Sequence, residues 1–148
     1  MKFKSYDIIY KGNVREFEQY LLDKAEQELQ QRGHRGMWCQ LTDTYVRQLK
    51  IIMEDPFPPA EADTDDDEDL PSIKHLTVHV TFDNFFRWGL RVPRTRTGNH
   101  RIIFAIHNYH KVVLLHHFDK QYNGVIKLKD IQPAEAHYED YCVSDPSY

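Results

Sequence analysis

The order of elements along this sequence predicts an α+β fold. Three observations carry that reading. A short segment rich in aromatic and β-branched residues opens the chain, two stretches with helical spacing follow before residue 54, and alternating or strongly apolar segments follow residue 70. A length of 148 residues fits one domain spanning 1–148, large enough to bury a real core.

Taken in order, "FKSYDIIY" at 3–10 reads as a strand. "KGN" breaks it, and "NVRE" has the form of a helix start, with Asn13 as N-cap and Glu16 three residues on. Phe17, Tyr20, Leu21, Ala25 and Leu29 then share one helical face, and "RGHRG" ends that helix. A second helix is expected from about Met37 to Met53 on the spacing of Leu41, Tyr45, Leu49 and Ile52, stopped by "DPFPP". A Pro-rich, acidic loop follows at about 54–72.

Beyond it, "LTVHVTF" alternates as a strand, and so does "FFRWGLRV". In the latter, Phe86, Trp88, Leu90 and Val92 share one face while Arg87, Gly89 and Arg91 share the other. "PRTRTGNH" is a polar turn, "RIIFAI" a strand, "HNYHK" a turn and "VVLLHHF" a third strong strand. Residue Pro133 suits the first position of a short closing helix. The expected architecture is a small antiparallel sheet with the two early helices on one face, leaving Arg87 and Arg91 on the other.

The formal net charge of −4 comes from one segment. "EADTDDDED" at 61–69 holds seven of the 23 acidic residues and no base, so the rest of the chain sets 16 acids against 19 bases. The basic side is concentrated as well. Positions 87–101 contain five of the nine arginines, Arg87, Arg91, Arg94, Arg96 and Arg101, with neither Asp nor Glu between them. Guanidinium forks without local carboxylates suit an anion, and nucleic acid is the commonest anion for such a patch. The acidic loop is either a solvated insertion or a screen over that patch.

Near Arg101, "LLHHFDKQY" supplies His116, His117, Lys120 and Tyr122. Strand alternation lets only one of the two histidines share the arginine face. Histidine moves protons near neutrality, as phosphodiester cleavage requires, although packing inside the strand explains these residues equally well. The histidine pairs lack the accompanying Cys or carboxylate ligands of a recognised metal site, and no cofactor motif occurs. No apolar run approaches the roughly 20 residues of a membrane helix, and the N-terminus has no stretch long enough for a signal peptide. With Cys39 and Cys142 far apart, free thiols and a cytoplasmic location are expected.

From about Leu70 onward the sequence resembles the RelE/ParE toxin superfamily, most closely its HigB branch, the phage Gp49-like proteins. The resemblance rests on "LRV", "RIIFAI", "VVLLHHFDKQ" and "IQPAEAHYEDY". It implies a RelE-like fold and a toxin of a type II toxin–antitoxin system, bacterial or phage-encoded. Such a toxin cleaves messenger RNA on the ribosome without a metal, and a cognate antitoxin, often a helix-turn-helix protein from a neighbouring gene, restrains it. Carried over by position, Arg91, Arg101, His116, His117 and Lys120 become the catalytic candidates. Arg87, Arg94, Arg96 and Tyr122 become the RNA-binding ones. His117 stands where the family usually has glycine and Gln121 where a second lysine is common. The alternative is a non-catalytic protein on the same fold, binding a protein target as the gyrase-inhibiting ParE branch does, or serving a phage.

Overall fold

The computed structural model describes residues 5–58 and 70–148. It is an α+β arrangement in the order β1 (Asp7–Tyr10), α1 (Val14–Arg32), α2 (Met37–Glu54), β2 (Ser72–His75), β3 (Phe85–Leu90), β4 (His100–His107), β5 (Lys111–Asp119) and α3 (Leu128–Ser144). The start of the expected first strand and the acidic run at 61–69 lie outside the described residues, as does the question of whether that run covers the arginines.

The five strands form one sheet in the order β1-β5-β4-β3-β2. It is mixed, which corrects the expected antiparallel sheet: β1 pairs parallel with β5, from Asp7 opposite Lys111 to Tyr10 opposite Leu114. After the α1–α2 excursion, β2 forms the opposite edge of the sheet, and β1 pairs with β5, the last strand in sequence.

Helices cover both faces. On one, α1 and α2 pack Phe17, Leu21, Leu41, Tyr45 and Ile52 against Phe86, Trp88, Leu90, Ile102, Phe104 and Leu114. On the other, Ile131, Ala134 and Tyr138 of α3 pack against Phe85, Ile103, Ala105, Val113 and Leu115. The expectation of helices on one face only is therefore corrected. Alternation in β3, β4 and β5 supplies two apolar faces, and a closing helix long enough to cover the second buries it.

That helix starts at Leu128, five residues before Pro133. The Asp130 N–H bonds the Lys127 carbonyl at 3.0 Å, tightening the first turn. The spacing of Ile131, Ala134 and Tyr138, all essentially buried, outweighs the proline inside the helix.

The strand expected at 76–82 is also corrected: β2 lies just upstream, at Ser72–His75. His79 takes a left-handed φ of 66°, which interrupts extended backbone. Thr81 is drawn to α3, its N–H donating to Glu135 Oε2 at 2.9 Å. Leu76, Val80 and Phe82 then pack on the α3 side rather than along a strand.

Asn13 takes the N-cap position of α1, its carbonyl accepting the Phe17 N–H at 3.0 Å, but its side chain makes no capping hydrogen bond. Its side chain instead holds β5, with Nδ2 donating to the His117 carbonyl at 2.9 Å and Oδ1 accepting the His117 N–H at 2.7 Å. Gly12, at φ 60°, is required beside this contact, because a Cβ there would sit 2.3 Å from the Leu115 carbonyl oxygen.

The two early helices are joined through a buried acid. Glu28 of α1 accepts the N–H groups of Gly36 at 2.8 Å, Trp38 at 3.2 Å and Cys39 at 3.0 Å, satisfying the N-terminus of α2. Burial alone raises a carboxyl pKa, but these three bonds outweigh it and hold Glu28 below its ordinary value. Glu28→Ala is expected to lower unfolding free energy by about 2–3 kcal/mol, since it strands donors around a buried position. The sign for pH follows from the depressed pKa. The contribution is present above the ordinary carboxylate range, is lost as pH falls through the folded value, and is absent in the variant. Denaturant titrations at pH 7 and pH 4 check both.

Candidate functional site

The register of the sheet assembles the basic residues. Lys74 of β2 lies opposite Arg87 of β3, and Gly89 of β3 lies opposite Arg101 of β4. These residues share the sheet face that α3 covers elsewhere. A groove of about 350 Å³ opens there, walled by residues 74–78 on one side and 124–126 on the other. Lys74, Arg87, Arg101 and Lys120 line it, with no carboxylate among the described residues that do so.

Gly89 makes room for the two guanidinium groups. A Cβ at that position would lie 3.4 Å from an Arg101 terminal nitrogen and 3.5 Å from the corresponding atom of Arg87. Arg101 is aimed by its own turn, donating to Asn99 Oδ1 at 2.6 Å and to the His100 carbonyl at 3.1 Å. Asn99 is held in turn by Asp119 Oδ1, which accepts its N–H at 2.9 Å, and by the Lys120 carbonyl at 3.2 Å. Lys120 Nζ donates to the Gly124 carbonyl at 2.6 Å, pinning the loop that forms the second wall.

Among the described residues, no carboxylate forms an ion pair with Arg87, Arg101 or Lys120. Burial lowers the proton affinity of Arg87. Arg101 is lowered by burial and then by the neighbouring charges of Arg87 and Arg91, and Lys120 by burial and then by Arg101 and Arg87. Mutual repulsion between fixed cations is relieved by an anion placed among them, and planar forks suit the oxygens of a phosphate.

The other residues singled out in the sequence separate into groups. Arg91 lies just past the end of β3, exposed but close enough to act on Arg101. Arg94 and Arg96 are exposed on the turn, Arg94 with a left-handed φ of 65°, and neither lines the groove. Tyr122 joins the loop to α3. Its hydroxyl donates to Asp130 Oδ2 at 2.5 Å and accepts the Lys127 N–H at 3.0 Å, while the ammonium groups of Lys120 and Lys127 lie 5.1 and 4.7 Å from its ring centre.

The two histidines are parted by a register shift. Ile103 faces His116 but Phe104 faces Leu114, so Leu115 is an extra residue in β5. Simple alternation from Leu114 would put His116 toward α1; the bulge reverses the pair. His116, opposite Ile103, shares the Arg101 face, beneath α3. Burial lowers its pKa, opposed by Asp130 and reinforced by His137, and it does not line the groove.

His117 points the other way, stacked on Phe17 of α1 with ring centres 3.6 Å apart. It lies 2.9 Å, Nε2 to Nδ1, from His100, whose own Nε2 is 2.6 Å from the Thr97 carbonyl. That chain assigns His100 Nε2–H as donor to Thr97 and His117 Nε2–H as donor to His100, both rings neutral. Burial, reinforced by His100 and His116, holds the His117 pKa down to about 3, and His100 is lowered also, again chiefly by burial. A histidine with a depressed pKa stabilises the fold fully above its unfolded value, near 6.5, and that stability drains away toward pH 3. Unfolding free energy is therefore expected to fall on acidification from pH 7 to pH 5, with a slope of up to about 1.4 kcal/mol per pH unit. His117→Phe should flatten the slope, as chemical denaturation at several pH values will show.

Lys74, Gly89 and Asn99 are the members of the site that sequence reasoning missed. Lys74 was hidden by placing the strand too late, and Gly89 carries no charge to draw attention. Among the described residues no three His, Cys, Asp or Glu side chains gather as a metal-binding group, and no helix is long and apolar enough to cross a membrane. Comparison of the chain with models of known families, with curated proteins and with solved structures gives no match.

Proposed function

We propose that this protein is a RelE/ParE-like toxin of the HigB branch, an endoribonuclease that cleaves messenger RNA on the ribosome and is neutralised by a cognate antitoxin. The observation that carries the reading is the groove lined by Lys74, Arg87, Arg101 and Lys120, in which two guanidinium groups lie side by side over Gly89 without a paired carboxylate among the described residues. The strand, helical pair and later strands also follow the order of elements in that family.

In RNA cleavage the 2′-oxygen attacks phosphorus, its proton passes to solvent water, the bond from phosphorus to the 5′-oxygen breaks, and that oxygen takes up a proton. Arg87 and Arg101 would hold the non-bridging oxygens as negative charge grows on them. Lys120 would protonate the leaving oxygen, its ammonium giving up its proton more readily than an ordinary lysine because of burial and the charges of Arg101 and Arg87. Lys74 and Arg91 would fix the flanking backbone. This scheme gives His117, which stacks on Phe17 of α1, no role.

A second reading, a non-catalytic binding protein on the same fold, rests on one observation: neither His116 nor His117 lines the groove. Inducible expression with and without the adjacent gene, followed by mapping of mRNA ends, separates the two. Cleavage that the neighbour relieves supports the nuclease, and Lys120→Ala should then abolish it while His116→Ala spares it. Growth arrest with intact transcripts favours the binder.

A further inference from the structure

A second cavity, unrelated to the cationic groove, lies at the opposite end of β3 and β4, against the C-terminal end of α3. Its volume is about 670 Å³, within the ordinary range of small-molecule sites. Six aromatic residues border it: Phe57, Phe82, Phe86, Tyr109, Tyr138 and Tyr148. Asp83 is the one residue with a charged side chain among the described residues that line it.

The walls are held in place from several sides. Phe86 meets Phe57 edge-on, with ring centres 6.2 Å apart, and Phe82 meets Tyr138 edge-on at 4.9 Å. Asn84 Nδ2 donates to the Tyr138 hydroxyl at 2.8 Å and to the Ile106 carbonyl at 3.0 Å. The tail is tied by Asn108, whose Nδ2 donates to the Pro146 carbonyl at 3.1 Å and whose Oδ1 accepts the Tyr148 N–H at 3.0 Å. Beside Asp83, His75 Nε2 lies 2.7 Å from the Asp83 backbone carbonyl. Among the described residues, nothing bonds the Asp83 carboxylate itself.

We infer that this cavity binds an organic cation, a guanidinium or alkylammonium group carried on an apolar stem. The ring faces attract a cation as well as bury its stem, and Asp83 supplies the counter-charge. An anion would meet the carboxylate with no base to offset it. A neutral apolar ligand would gain nothing from that carboxylate, whereas a cation gains an ion pair with it. The same chemistry is offered by a free small molecule or by a Lys or Arg side chain of another protein.

The test is a calorimetric or NMR titration of the intact chain with butylguanidinium and its neutral isostere butylurea. A parallel arm uses an acetyl-Gly-Arg-Gly-amide peptide and its citrulline counterpart. Butylguanidinium is expected to bind about tenfold more tightly than butylurea or better, with Asp83→Asn, an exposed position, erasing the difference and Tyr109→Ala weakening both. Binding of the arginine peptide but not of butylguanidinium also supports the site and assigns it to a partner's side chain. Equal binding of the charged and neutral members of a pair, equal binding by Asp83→Asn, or no binding of any probe at millimolar concentration overturns the inference.

Discussion

On the proposed nuclease reading, Arg101→Ala is expected to reduce RNA cleavage about 10²–10³-fold while leaving the fold as stable as before, or more so. The two effects run in opposite directions for one reason. Arg101 is half-buried, lies near Arg87 and Arg91, and receives no carboxylate among the described residues, so the free protein carries its charge at a cost. Removing it relieves repulsion in the free protein and deletes a fork from the charged transition state. Arg101→Lys keeps the charge but not the planar two-pronged donor, and should recover only part of the loss. Cleavage rates on ribosome-bound mRNA, set beside thermal denaturation of the same preparations, measure both halves. Full activity in Arg101→Ala would sink the assignment of this groove to phosphate chemistry, and a large fall in stability would mean that Arg101 has a structural role instead.

Trp88→Ala carries the largest expected effect on folding, a loss of about 4 kcal/mol. Trp88 heads the fully buried side chains by size and sits in the middle of β3. Its ring stacks on Tyr45 of α2 with centres 5.3 Å apart, and its Nε1–H donates to Gln48 Oε1 at 2.7 Å. Alanine therefore removes a large apolar body, an aromatic stack and a buried hydrogen bond together. Trp88→Phe keeps most of the volume and should cost roughly half as much. The site would register the change, because Trp88 stands between Arg87 and Gly89 and anchors the strand that carries them. Urea unfolding followed by circular dichroism gives the values; a loss below about 1 kcal/mol for alanine would show that α2 does not depend on this contact.

The sequence by itself determined the main elements wherever burial follows a simple period. Trp88, Leu90 and Phe86 alternate against Arg87 and Gly89, and Leu41, Tyr45 and Ile52 recur at helical spacing, so the inner faces of β3 and α2 are legible without coordinates. The concentration of arginines at 87–101 pointed to the cationic side of the sheet for the same reason: charge is local information. Where alternation was not backed by pairing, it misled. "LTVHVTF" has a strand pattern, but a left-handed His79 and the pull of Glu135 on Thr81 turn those residues toward α3.

The tertiary structure alone decided which groups meet. Parallel pairing of β1 with β5 depends on a return path through two helices, and no local pattern encodes it. Lys74 enters the groove because an edge strand pairs in one register with β3. The choice between His116 and His117 turned on a single extra residue in β5, held by Asn13 and permitted by Gly12 more than 100 positions away. A one-residue slip reverses every side chain beyond it, and its cause lies in a contact distant in sequence. Composition therefore tells which charges the chain has, and long-range packing decides which of them face one another.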